Sequence, residues 1–248
     1  MNIKLIYGTD TNNTEYVVDT YLMNELESIG DLDIKNVNEI SSEDWDGSDL
    51  FVLGIPTWYD GELQSDWEDY FETFKEIDFT DKTVAIFGLG DQIGYDEWFC
   101  DGVGILAKQV LANNGRVIGY TYKDDTYDFD TKPKSIITAN IFYGLCLDED
   151  TQDELSKDRV SKWVEQLKEE YATEGTYLDP DVIDFLERAD KPGPWSEEDD
   201  KIHTVGGLTN DKDNDFMKFQ KKQNDFQWID EEQSEYDSFS NGETNNES

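Results

Sequence analysis

The chain has 248 residues, enough for one domain with an appendage or for two small ones; 36% are hydrophobic and 13% aromatic, which supports a real core. Its 59 acidic residues against 20 basic ones leave a net charge of -39, which excludes nucleic acid as a direct partner and sets repulsion from anionic membranes. No stretch reaches the roughly 18 apolar residues of a membrane helix, and the start enters a strand pattern without a basic flank, so a cytoplasmic protein is expected.

In chain order, short runs rich in Ile, Val, Leu, Phe and Tyr predict strands at Ile3–Tyr7, Asp33–Val37, Leu50–Ile55, Thr83–Leu89 and Arg116–Tyr120. Helical periodicity falls between them, at Thr14–Ile29, Leu63–Phe74 and Phe99–Asn114. This alternation predicts an α/β, doubly wound parallel sheet with right-handed crossovers and helices on both faces. Residues Tyr122–Asn140 read as a polar, Asp-rich surface loop that splits or extends the final strand before a second apolar segment, Ile141–Leu147. The stripe Val160, Trp163, Val164, Leu167, Tyr171 then predicts a closing helix over Asp158–Tyr171. The pattern changes there, which places a domain at 1–171 and an acidic, partly helical extension at 172–248, its end without ordered structure.

Metal and disulfide chemistry find little support. Cys100 and Cys146 lack CxxC spacing and read as buried small hydrophobes, and a single histidine, His203, excludes a His-rich zinc or di-iron site.

Three loops at strand carboxyl ends carry the functional signal, the edge at which doubly wound sheets bind ligands. After the first strand come Gly8, Thr9, Asp10, Thr11, Asn12, Asn13 and Thr14. Hydroxyls and backbone N–H groups at a helix start suit a phosphate, although Thr and Asn there also simply cap helices. The loop is neither a Walker A motif nor a G-x-G-x-x-G fingerprint. After the third strand come Pro56, Thr57, Trp58, Tyr59, Asp60 and Gly61; Trp58 suits either a planar ligand or the loop's own core. After the fourth come Leu89, Gly90, Asp91, Gln92, Ile93, Gly94 and Tyr95. Together the loops predict a phosphorylated flat ring between Trp58 and Tyr95, with Asp91 at its polar edge.

The run from Gly54 to Trp67, the Thr9–Thr14 loop, Gly90–Tyr95, Gly119–Phe129, Gly144–Asp150 and Arg159–Leu167 resemble the long-chain flavodoxins over residues 1 to about 171. That resemblance implies a flavodoxin-like five-stranded parallel sheet in the order 2-1-3-4-5, a loop interrupting strand five, and noncovalent FMN. It also implies that Thr9, Thr11, Asn12, Asn13 and Thr14 hold the phosphate with Thr57 close by, and that Trp58 and Tyr95 sandwich the ring. Asp91, with the backbone around Leu89 and Gly90, would meet the pyrimidine edge, Asp148 would lie near the ribityl chain, and the Tyr59–Asp60 peptide would adjust to the ring nitrogen N5. One departure is Asn12, where the family usually has glycine; Asn tolerates positive φ better than other side chains.

The function so implied is a low-potential one-electron carrier, monomeric and not an enzyme, serving a flavodoxin reductase and acceptor enzymes with basic surfaces through transient, salt-sensitive encounters. The alternative is a binding or regulatory module that keeps the fold without the flavin, favoured by Asn12 alone. A flavin-dependent quinone reductase would require an oligomer and an open pocket over the ring. For the extension, a strap on the domain, a dock for a redox partner and an acidic spacer all stay open.

Overall fold

Two apolar runs, Leu50–Trp58 (β3) and Thr83–Leu89 (β5), lie side by side in parallel, and their buried stretches form the centre of the sheet. The computed structural model describes residues 1–138 and 140–174; the expected extension lies outside them beyond Glu174. On one side β3 pairs with β1 (Asn2–Tyr7), which pairs with β2 (Asp31–Asn36) at the edge, all parallel. A two-residue strand, β4 (Glu62–Leu63), folds back antiparallel on the end of β3.

Beyond β5 the fifth position of the sheet is shared. Arg116–Ile118 (β6) pairs with Thr83–Ala85, whereas a later strand, Leu145–Leu147, pairs with Phe87–Leu89. The order is therefore 2-1-3-4-5 in the large strands, with the fifth interrupted, and the fold is flavodoxin-like. The interruption carries Thr121–Tyr122 (β7), Ile136–Thr138 (β8) and Ile141–Phe142 (β9), a small antiparallel sheet, before Leu145–Leu147 (β10) resumes the main one.

This insertion corrects the expectation of a polar surface loop. Tyr127 and Phe129 are buried with Phe99 and Phe142, ring centroids 5.1–6.4 Å apart, and Lys123 and Arg159 sit over the Phe129 and Tyr127 rings. An aromatic core of its own ties the insertion to Phe99, just before the helix that begins at Asp101.

Helices cover both faces because alternate strand residues are apolar on both. Ile3, Leu5, Val52 and Ala85 meet Val17, Val18, Leu22 and Leu26 of the first helix and Val160, Trp163, Val164 and Leu167 of the last. The first helix runs as α1 (Asn13–Val17), a π-helical turn over Val18–Leu22, and α2 (Met23–Glu27). On the other face lie α3 (Ser65–Lys75) and α4 (Asp101–Ala112), with the Trp45 ring in contact with Phe51, Phe74 and Phe79. The last helix, α5 (Asp153–Thr173), starts earlier than predicted, and Trp163 Nε1 donates to the Gly119 carbonyl at 2.7 Å where β6 gives way to the insertion. Among the described residues no helix is long and apolar enough to cross a membrane.

An ion network secures the β2 edge. Asp44 accepts Lys35 Nζ at 2.5 Å, Lys4 Nζ at 3.0 Å and the Ser41 N–H at 2.9 Å, and the Lys35 hydrogen bond first of all holds its carboxyl well below the usual range. A depressed folded-state value stabilises at pH above the unfolded value near ~3.9 and loses that contribution as pH falls further. Asp44→Asn is expected to cost about 2–3 kcal/mol at pH 7. Urea unfolding should show the gap from wild type closing below about pH 4; a constant gap would assign the loss to packing.

Candidate cofactor site

The first loop is shaped by what its polar residues do. Gly8 donates its N–H to the Gly54 carbonyl at 3.1 Å, and a Cβ on it would stand 2.0 Å from Gln64 Oε1; no larger residue fits there. Asp10 turns away from the cleft toward α3, accepting Gln64 Nε2 at 2.9 Å and Ser65 Oγ at 2.5 Å. Burial pushes its carboxyl up, but the bonds from Ser65 and Gln64 outweigh that and hold it below the usual range. Asn12 adopts φ 65° in the left-handed region and its side chain makes no capping bond, so it supplies backbone shape where the resemblance implies glycine.

Thr9, Thr11, Asn13 and Thr14 line one end of a cleft of about 230 Å³. The hydroxyls of Thr9 and Thr14 are buried with no hydrogen-bond partner, as is Nε1 of Trp58. Buried donors are nearly always satisfied, and an unpaired one costs about 1–3 kcal/mol. Three around one cleft are the signature of a ligand with acceptor oxygens.

The cleft's walls come from the ends of β3 and β5. Pro56, Thr57, Trp58 and Tyr59 form one, Leu89, Gly90, Asp91 and Tyr95 the other. Thr57 Oγ1 accepts the Gly102 N–H of α4 at 3.0 Å, which aims its hydroxyl hydrogen elsewhere. Tyr59 is 65% exposed and, at φ 43°, strained for a residue with a side chain. Asp60 and Gly61 close the turn into β4 and do not line the cleft.

Two predicted carboxylates accept backbone amides. Asp91 Oδ1 accepts the N–H groups of Ile93 and Gly94 at 2.9 and 2.7 Å, stiffening the loop that carries Tyr95. Asp148 is fully buried and accepts N–H groups from Gln92, Asp150 and Thr151 at 2.9–3.1 Å. It joins the end of β10 to the Asp91 loop and stands behind the lining. Glu149 and Asp150, its successors, line the cleft instead, as do Trp98 and Phe99. Sequence reasoning missed these four; position after a strand's carboxyl end was the available signal for the first two, and aromatic spacing after Tyr95 for the others.

No Lys or Arg lies among the lining residues. Burial pushes the Glu149 carboxyl up, the Ser156 hydroxyl opposes this, and Asp153, Asp148 and Asp150 add to it. The cradle therefore offers only neutral donors at a helix start, in a negative field.

Residues 5–163 match the family model described as Flavodoxin. The chain belongs to the flavodoxin family. It is similar to the flavodoxin of Haemophilus influenzae, 42% identical over 171 residues that cover 68% of this chain and 94% of the relative. It is likewise similar to flavodoxin 1 of Escherichia coli, 39% identical over 166 residues, or 67% of this chain and 92% of that one. Among solved structures, Fusobacterium nucleatum flavodoxin bound to flavin mononucleotide matches with a TM-score of 0.63 and 32% identity, covering 68% of this chain and 99% of that one. Orphaned donors at one end and aromatic walls at the other fit that mononucleotide, and FMN is the flavodoxin cofactor this cleft takes.

Proposed function

We propose that this protein is a cytoplasmic, low-potential one-electron carrier that holds FMN noncovalently and shuttles electrons between a reductase and acceptor enzymes. The observation that carries the reading is the set of three orphaned donors in a cleft walled by Trp58, Tyr59 and Tyr95. When bound, FMN supplies one-electron chemistry, and the protein binds and tunes it. Thr9, Thr14 and the backbone of Thr11 to Thr14 would hold the phosphate, and Trp58 and Tyr95 would cover the ring. Glu149 and Asp150, lining the same cleft, disfavour added negative charge and so favour low potentials.

The surface suits transient docking. Tyr59, Ile93 and Tyr95 are exposed on the two wall loops, beside exposed Asp60, Glu62, Glu97 and Asp150. A partner with a basic rim and an apolar centre complements this face, and the protein itself acts as a monomer. Purified protein, or protein incubated with FMN, should show flavin absorbance and take up electrons anaerobically in two separate one-electron stages. A protein that stays colourless after incubation would instead be a module that keeps the fold without the flavin. Turnover with a flavodoxin reductase should fall as ionic strength rises, and a flat response would refute electrostatic docking.

A further inference from the structure

Beneath the Tyr59 wall lies a buried ion pair that the cleft itself does not use. Asp101, the first residue of α4, accepts the Lys134 backbone N–H on Oδ1 at 2.5 Å, and its Oδ2 lies 3.4 Å from Lys134 Nζ. Both side chains are almost fully buried. Lys134 belongs to the insertion, 33 residues away in the chain. Its backbone lies flat on α4, since a Cβ on Gly104 would stand 1.9 Å from its carbonyl oxygen, and the neighbouring Ser135 Oγ donates to the Phe99 carbonyl at 2.6 Å.

The pair's other side touches the turn into β4. Gly61 has φ 87°, and a Cβ placed on it would stand 2.5 Å from Asp101 Oδ2 and 2.9 Å from Trp98 Cδ1. Two residues earlier Tyr59 lines the cleft at φ 43°. Gly61 adopts such a φ freely, whereas Tyr59, with a side chain, persists there only when its surroundings over-determine it. Among those surroundings the Asp101 carboxylate lies against Gly61 at the end of the turn and is itself held by Lys134. The ion pair is also an uneconomical way to fill the space, because Oδ2 has no hydrogen bond and burial of a charged pair seldom favours folding over apolar packing. Its value lies in shape.

We propose that Asp101 and Lys134 are positioning residues for the cofactor cleft, through which the insertion holds the Tyr59–Gly61 turn against the ring of bound FMN. This rests on the FMN reading above. Asp101→Asn and Lys134→Met should each weaken FMN binding roughly tenfold, by analogy with the low end of what loss of a supporting partner costs a metal site. Because the turn meets the ring and not the phosphate, riboflavin affinity should fall by the same factor. The visible circular dichroism of bound flavin and the first reduction potential should shift as well, which loss of stability alone would not cause. Gly61→Ala keeps both charged side chains but drives a methyl into the Asp101 carboxylate, and should reproduce these changes if a pair variant fails to fold. Unchanged flavin affinities and unchanged dichroism in the variants that fold would overturn the proposal. A wild-type protein that takes no FMN would fail the cofactor reading itself, and this proposal with it.

Discussion

Replacing Thr9 and Thr14 together by valine is expected to weaken FMN binding by roughly 10²–10⁴-fold, while riboflavin binding stays within about threefold of wild type. The physical basis is the pair of buried hydroxyls that find no partner in the protein. A hydrogen bond to a charged acceptor contributes about 1.5–3 kcal/mol, and two of them give about 3–6 kcal/mol, hence the range. Valine keeps the shape and removes the donors, so the apoprotein should become slightly more stable, because a buried unpaired polar atom disappears. Fluorescence titration with both flavins and urea unfolding of the apoprotein check the two halves. Equal losses for FMN and riboflavin would mean that these threonines shape the cleft instead of holding the phosphate, and a loss under about threefold for FMN would remove them from the site altogether.

The sheet and its binding edge were legible because their signals are local. Leu50–Ile55 and Thr83–Leu89 are apolar runs of strand length, and the loops after them had to lie at the carboxyl edge once the sheet was parallel. The end of β3 was less visible: Thr57 and Trp58 continue the strand where β4 returns to pair with them. The insertion misled because its polarity is a local property and its burial is not. Tyr127 and Phe129 sit in an Asp-rich stretch, and Phe99 and Phe142, outside that stretch, help to bury them. The same reason hid Asp101 and Lys134, which look like two ordinary surface charges until the fold brings them together. Asp91 and Asp148 show a different limit. A carboxylate next to a cleft can face the ligand or nearby backbone amides, and spacing does not distinguish these; both here accept amides.

The affinity for FMN is expected to rise with salt, by about tenfold between 10 mM and 0.5 M sodium chloride, opposite in sign to the reductase reaction. Phosphate sites usually contain Lys or Arg, and salt weakens them by screening attraction. This cradle offers neutral donors while Glu149 and Asp150 line the same cleft, in a chain of net charge -39. Two unit charges about 8 Å apart in water repel by roughly 0.5 kcal/mol, so a phosphate near two carboxylates meets roughly 2 kcal/mol at low salt. Shortening the Debye length from about 30 Å to under 8 Å removes more than half of that, which corresponds to the predicted factor. Riboflavin, without the phosphate, should show a much flatter dependence, and Glu149→Gln should flatten the FMN curve while raising affinity at low salt. Weaker FMN binding at higher salt would place a cation in the phosphate site and contradict the neutral cradle. With the expected signs, one salt series separates the two roles of the acidity: it opposes the cofactor's phosphate and attracts the partner.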